Sequence, residues 1–115
     1  MNLDFSNMRL TVVVAPVDMR SGFRRLAFLA SAVLDIHVDS GRDLVVFVSR
    51  DRGIAKAIWS DQQGNSLLTR RLHAGRFERF LGKRSGAAVQ SITAQEFMKF
   101  LDSEHLMVSR TELFV

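Results

Sequence analysis

Arg50, Arg52, Lys56, Arg70, Arg71, Arg76 and Arg79 are the side chains whose type and clustering point most directly to a chemistry. With Lys83 and Arg84 they give residues 50–84 nine basic groups against Asp51, Asp61 and Glu78, a local net charge of +6. Residues 1–49 balance at zero and residues 85–115 carry −2, so the whole-chain value of +4 conceals one basic segment. Such clustering is the electrostatic footprint of a phosphate-backbone binder. Thirteen of the sixteen basic residues are Arg, whose planar fork bonds phosphate oxygens in pairs. A solvated basic surface has the same composition, and a G- and C-rich genome produces the same arginine bias. Charge alone leaves both readings standing.

Spacing sharpens the nucleic-acid reading without closing it. Two strand-like runs, Ile54–Ser60 and Ser66–Leu72, flank a Gly- and Asn-containing link, the pattern of a β-hairpin. A turn centred on Gln63-Gly64 sets Lys56 opposite Arg71, Ala57 opposite Arg70 and Trp59 opposite Leu68. Opposed like charges cost stability unless an anion lies between them, a place that a phosphate fills and that water also fills when the side chains splay. Phe77 and Phe80 interleave with the cations of Gly75–Arg84, as in single-strand binders. One helical turn burying both rings explains the same spacing. Trp59, the sole tryptophan, reads as a packing residue.

Catalytic alternatives find less support. Asp18, Asp35, Asp39, Asp43, Asp51 and Asp61 are available to hold divalent ions, but they sit mostly beside helix ends and turns, where Asp caps backbone. His37, His73 and His105 are scattered without ligand spacing. There is no cysteine, which removes thiolate zinc, iron–sulfur and thiol-nucleophile chemistry and suits a reducing compartment such as the cytoplasm. Neither a phosphate-cradling glycine loop nor a nucleophile elbow is present. The expectation is a protein with no catalytic set, no metal site and no cofactor. No apolar run is long enough to span a membrane, and the N-terminus lacks a signal-peptide layout.

The elements that must position these residues follow from periodicity. At 115 residues the chain is one domain's worth, with residues 1–8 expected to be a loose N-terminus and 104–115 a tail of uncertain structure. Arg9–Val14 is a β-branched run and predicts a strand; Leu44–Val48 predicts a buried one. Phe23, Leu26, Ala27, Ala30, Val33 and Leu34 recur on one face, predicting an amphipathic helix over Ser21–Asp35 whose other face shows Arg24 and Arg25. Asp18 or Ser21 is placed to cap it. Ala87–Ile92 predicts a short strand, and Thr93-Ala94-Gln95-Glu96 a capping box opening a second helix to about Ser103. The fold class expected is α+β, a mainly antiparallel sheet of about four to five strands with two principal helices packed on it.

Several of these residues carry a resemblance. Asp18-Met19-Arg20-Ser21-Gly22-Phe23 with Leu26-Ala27 resembles the "DMRKGFDGLA" signature of the TnpB-type (Orf-two) accessory proteins of insertion-sequence sixty-six transposons, which are unrelated to the RNA-guided nuclease of the same name. Val46-Phe47, Lys56, Asp61, Gly64, Arg70-Arg71-Leu72 and Gly75-Arg76-Phe77 resemble that family's "FVF…K…WD…G…KRLE-GRF" segment, and Ile92–Phe97 with Leu101 its "LTPAQLxxLL" helix. The likeness runs in order over roughly residues 9–103. In this chain Trp59 precedes Ser60-Asp61 where the family has Trp-Asp. The family's Arg-rich turn is reduced to Arg50-Asp51-Arg52-Gly53, and the proline after GRF and the Asp-Trp of the tail are absent. The resemblance implies a non-enzymatic accessory factor of bacterial transposition, encoded beside a separate transposase subunit. Its implied partners are DNA, that transposase and, in a homo-oligomer, itself. An adaptor without DNA contact, presenting apolar surface around Trp59, Phe77 and Phe80, is the alternative. The motif residues Asp18, Met19, Gly22 and Phe23 read as structural, Asp18 capping, Gly22 admitting neighbouring backbone and Phe23 stapling the helix to the sheet. Arg20 either pairs with Asp18 or reaches outward.

Overall fold

Val is the commonest residue of the strand segments, because branched side chains pack well on a pleated surface. The computed structural model describes residues 4–14, 17–77 and 89–102. Its elements are β1 (Arg9–Val14), α1 (Phe23–Leu34), a 3-10 turn (Val38–Ser40), β2 (Asp43–Val48), β3 (Ile54–Ser60), β4 (Asn65–Arg71), β5 (Val89–Ile92) and α2 (Ala94–Leu101). They form one five-stranded sheet in the order β4-β3-β2-β1-β5. The β1–β2 pair is parallel and the others are antiparallel, the α+β arrangement expected. Parallel pairing requires a crossover, and α1 supplies it.

The sheet is covered on both faces, so β2 is buried throughout and, after Asp43, reads as an unbroken apolar run. On one face Leu26 and Ala30 of α1 pack on Val13, Val45, Phe47 and Ile58, with Phe23 half-buried against them, the stapling role expected. On the other, Phe97, Phe100 and Leu101 of α2 pack with Leu10, Val12, Val46, Ala57 and Trp59. An eight-residue helix has no stability of its own in water. Burial of its two phenylalanines, at about 1.5–3 kcal/mol each, holds it in place. The capping box forms as expected: the Glu96 amide donates to Thr93 Oγ1 at 3.0 Å and the Thr93 amide to Glu96 Oε1 at 2.9 Å.

Four local expectations are corrected. The β3–β4 turn comprises Asp61–Gly64, centred on Gln62-Gln63, so Lys56 faces Thr69, Ala55 faces Arg70, Ile54 faces Arg71 and Trp59 faces Ser66. Asp61 shifts the register by two: its Oδ1 accepts the Gln63 and Gly64 amides at 2.8 and 3.1 Å, and Gly64 takes φ 150°. Helix α1 begins at Phe23 with Gly22 as a cap that makes no side-chain bond; Asp18 folds back on Arg20 instead. A Cβ on Gly22 would meet nothing within 4 Å, so no neighbouring backbone depends on that glycine. Phe5, in the segment expected to be loose, is buried against Trp59 and Phe97, with ring centroids 5.1 and 5.6 Å away in edge-to-face geometry.

Candidate nucleic-acid interface

Register places the candidate residues. β1 and β2 end together, since Val14 pairs with Val48. Antiparallel pairing brings the start of β3 and the finish of β4 to that same end, through Val48–Ala55 and Ala55–Arg70. Helix α1 starts there too, because the Nζ of buried Lys56 donates to the Ser21 carbonyl at 2.8 Å. One end of the sheet therefore collects Arg50 and Arg52 from the β2–β3 turn, Arg70 and Arg71 from β4, Arg76 beyond it, and Arg20, Arg24 and Arg25 from the start of α1. With Lys56 that is nine cations against Asp18 and Asp51 among the described residues of these segments.

The opposite end is acidic. Asp35 and Asp43 line one cleft there with Arg9 and Arg42, and Asp4, Asp39 and Asp61 line its neighbour. Six-residue strands rising about 3.3 Å per residue separate the two ends by roughly 20 Å. That exceeds the Debye length of about 8 Å at physiological salt, so neither end cancels the other's field. Residues 1–49, neutral as a sequence segment, are thus divided in space, with Arg20, Arg24 and Arg25 at one end and most of their aspartates at the other.

Both acids at the basic end are engaged locally. Asp18 accepts the Arg20 amide at 2.9 Å and its Nε and Nη2 at 3.0 and 3.1 Å, which holds the Asp18 carboxyl down to about 2. Arg20 pairs with Asp18 at the surface, the first of the two roles its sequence context allowed. Asp51 takes the Ser49 hydroxyl at 2.7 Å and the Gly53 amide at 3.0 Å; those bonds, and then nearby Arg76, lower its carboxyl below the usual range. The turn itself is braced by the Phe77 amide donating to the Arg52 carbonyl at 2.7 Å and the Leu72 amide to Gly53 at 3.0 Å. Arg76 is delivered to the site by that bracing.

The proposed contacts fare unequally. Arg50, Arg70, Arg71 and Arg76 are exposed; Arg52 is half-buried, with φ 62°. Lys56 is 9% exposed and holds α1, so it belongs to the interior rather than beside Arg71. Arg70 and Arg71, adjacent in sequence, alternate to opposite faces of edge strand β4: Arg70 shares the α2 face with Ala55, and Arg71 the α1 face with Ile54. Arg79, Phe80, Lys83, Arg84 and residues 104–115 lie outside the described residues. Of the aromatics, Phe77 is buried and stacks on Phe100 with centroids 4.7 Å apart, and Trp59 is also buried. Neither forms the apolar docking surface of the adaptor reading. Met19 is half-buried in the turn before α1.

Sequence reasoning left Arg24 and Arg25 out of the site. They are exposed and make no ion pair within 4 Å among the described residues. Their signal was available: a strand–helix–strand order implies a parallel crossover, which sets a helix start at the strands' C-terminal end. Among the described residues no group of three or more His, Asp or Glu is placed to hold a metal ion, and no helix is long and apolar enough to cross a membrane.

Residues 8–110 match the family described as IS66 Orf2 like protein. The chain is also similar to an uncharacterized protein, y4hO, of Sinorhizobium fredii, 42% identical over 71 residues. That alignment covers 62% of this chain and 61% of the relative, so the chain spans under two thirds of the curated relative's length. No solved structure matches it.

Proposed function

Because this chain belongs to the IS66 Orf2-like family, whose members are accessory proteins of transposition, we propose that it acts by binding DNA through the basic end of its sheet. The observation that carries this is the convergence of Arg24, Arg25, Arg50, Arg71 and Arg76, exposed and from four separate segments, at one end of a charge-polarised molecule. Asp18 and Asp51 are outnumbered by the nine cations of these segments, so the field at that end stays positive. Phosphates neutralise such a field and release condensed counterions, the dominant sequence-independent term in DNA affinity. In this reading the protein supplies no catalytic group. It works in the bacterial cytoplasm, positions DNA for a separate transposase subunit, and self-associates if more than one copy is needed.

The test is duplex binding across a salt series. Affinity should fall linearly on a log–log plot, with a slope of about −0.9 per phosphate contact. Charge reversal at Arg71 and Arg76 together should weaken all sequences alike. No binding by the intact chain at low salt overturns the reading. Nuclease-insensitive co-purification with a transposase would then support the adaptor role.

A further inference from the structure

We propose that the outer face of α1 is a stacking platform for single-stranded nucleic acid, with an unpaired base on Phe28 and the flanking phosphates on Arg24 and Arg25. This rests on the nucleic-acid reading above and specifies the form of strand that the basic end takes. Phe28 is 64% exposed, whereas Phe5, Phe47, Trp59, Phe77, Phe97 and Phe100 are buried and Phe23 is half-buried. Among the described phenylalanines and tryptophan it is the ring offered to solvent.

Its neighbours settle what kind of ligand suits it. Arg25 and Arg24 lie three and four residues before Phe28, and Ser31 and Ala32 three and four after, so all border the ring on the helix surface. The two that follow are small and leave the ring uncovered. No acidic residue occurs anywhere in FRRLAFLASAVL, so nothing on the helix competes for the two guanidinium groups. Asp18, the nearest carboxylate before the helix, is hydrogen-bonded by Arg20 and acts on Arg25 only as a weaker charge through space. A protein-docking patch would surround the ring with further large apolar groups. Val33, the other large apolar residue that α1 exposes, is five positions on and points to a different side. An aromatic ring rimmed by cations is instead the pairing that single-strand binders use, bases stacking on the ring while Arg tracks the phosphates.

The path to the platform is also charged. Arg71 projects from β4 on the same sheet face as α1 and at the same end as Arg24 and Arg25. A strand crossing from the sheet edge to the start of α1 meets cations along the way. In a duplex the base faces are covered by their neighbours, and a side chain on a helix reaches base edges in a groove but no face without unstacking the bases. Phe28 therefore distinguishes unpaired from paired nucleic acid, while the arginines serve both.

Labelled oligothymidylate, oligouridylate and a random duplex of equal length test this by fluorescence anisotropy. Phe28→Ala should weaken single-strand binding at least about fivefold and leave duplex binding unchanged. Phe28→Trp should retain binding, and its exposed indole should be quenched by oligothymidylate over the constant background of buried Trp59. Single-strand affinity indifferent to Phe28→Ala, with duplex binding intact, overturns this proposal alone. Absence of binding to every probe by the unsubstituted protein overturns the nucleic-acid reading beneath it as well.

Discussion

The ammonium of Lys56 donates to the Ser21 carbonyl at 2.8 Å, fastening the start of α1 to the third strand. A cation from the basic segment is thereby spent on positioning other cations. Lys56→Met keeps the aliphatic volume and removes the donor, leaving a partly buried carbonyl without its charged partner. The expected loss is about 1.5–3 kcal/mol of unfolding free energy. Denaturant titration measures it. The salt slope of DNA binding should stay unchanged, because Lys56 contacts no phosphate in the proposed interface.

The separation of charge along the strands predicts which arginines matter. Arg24→Ala combined with Arg71→Ala should reduce the magnitude of the duplex salt slope by about 1.8, two contacts' worth. Arg42→Ala, at the acidic end, should leave the slope as it was. A slope reduced by about 0.9 in Arg42→Ala, half the effect of the double variant for half its charge, would mean that binding reports total charge and not a site.

Phe77 directly follows Arg76, the position of a ring that stacks beside a phosphate contact, yet it lies 1% exposed against Phe100. Phe77→Ala should destabilise the fold by about 3–5 kcal/mol through the cavity left behind. Thermal unfolding measures this. Since the Phe77 amide also anchors the Arg52 carbonyl, any weakening of DNA binding should accompany the loss of structure and disappear when binding is measured well below the melting temperature.

Asp18 gives a pH signature. Its carboxyl is held at about 2 by the hydrogen bonds from Arg20, below its ordinary value of 3.8. A depressed folded value means that the contribution of this turn is fully present above about 4 and is lost as pH falls toward 2. NMR titration of the Asp18 carboxyl should show its midpoint near the lower value. Arg20→Gln should move that midpoint up toward the ordinary range, because the largest cause of the depression is the side-chain bond from Arg20.

Much of the architecture was legible in the chain because it rests on local physics. The β-branched run Arg9–Val14, the buried run of β2, the helical period of α1 and the Thr93–Glu96 capping box each announce their element without knowledge of its neighbours. The clustering of arginine in residues 50–84 was legible in the same way. Three things were decided by tertiary structure. A turn closed by the Asp61 carboxylate moved the β3–β4 register by two residues, taking Lys56 away from Arg71 and leaving Arg70 and Arg71 on opposite faces. Burial sorted the aromatics, sending Phe77 into the core and leaving Phe28 in water, a distinction that residue type does not encode. The parallel crossover carried Arg24 and Arg25 to the basic end and most of the aspartates of the same neutral segment to the other. Charge adds along a sequence as a sum, but a ligand feels it as a field, and only the pairing of strands says where the field lies.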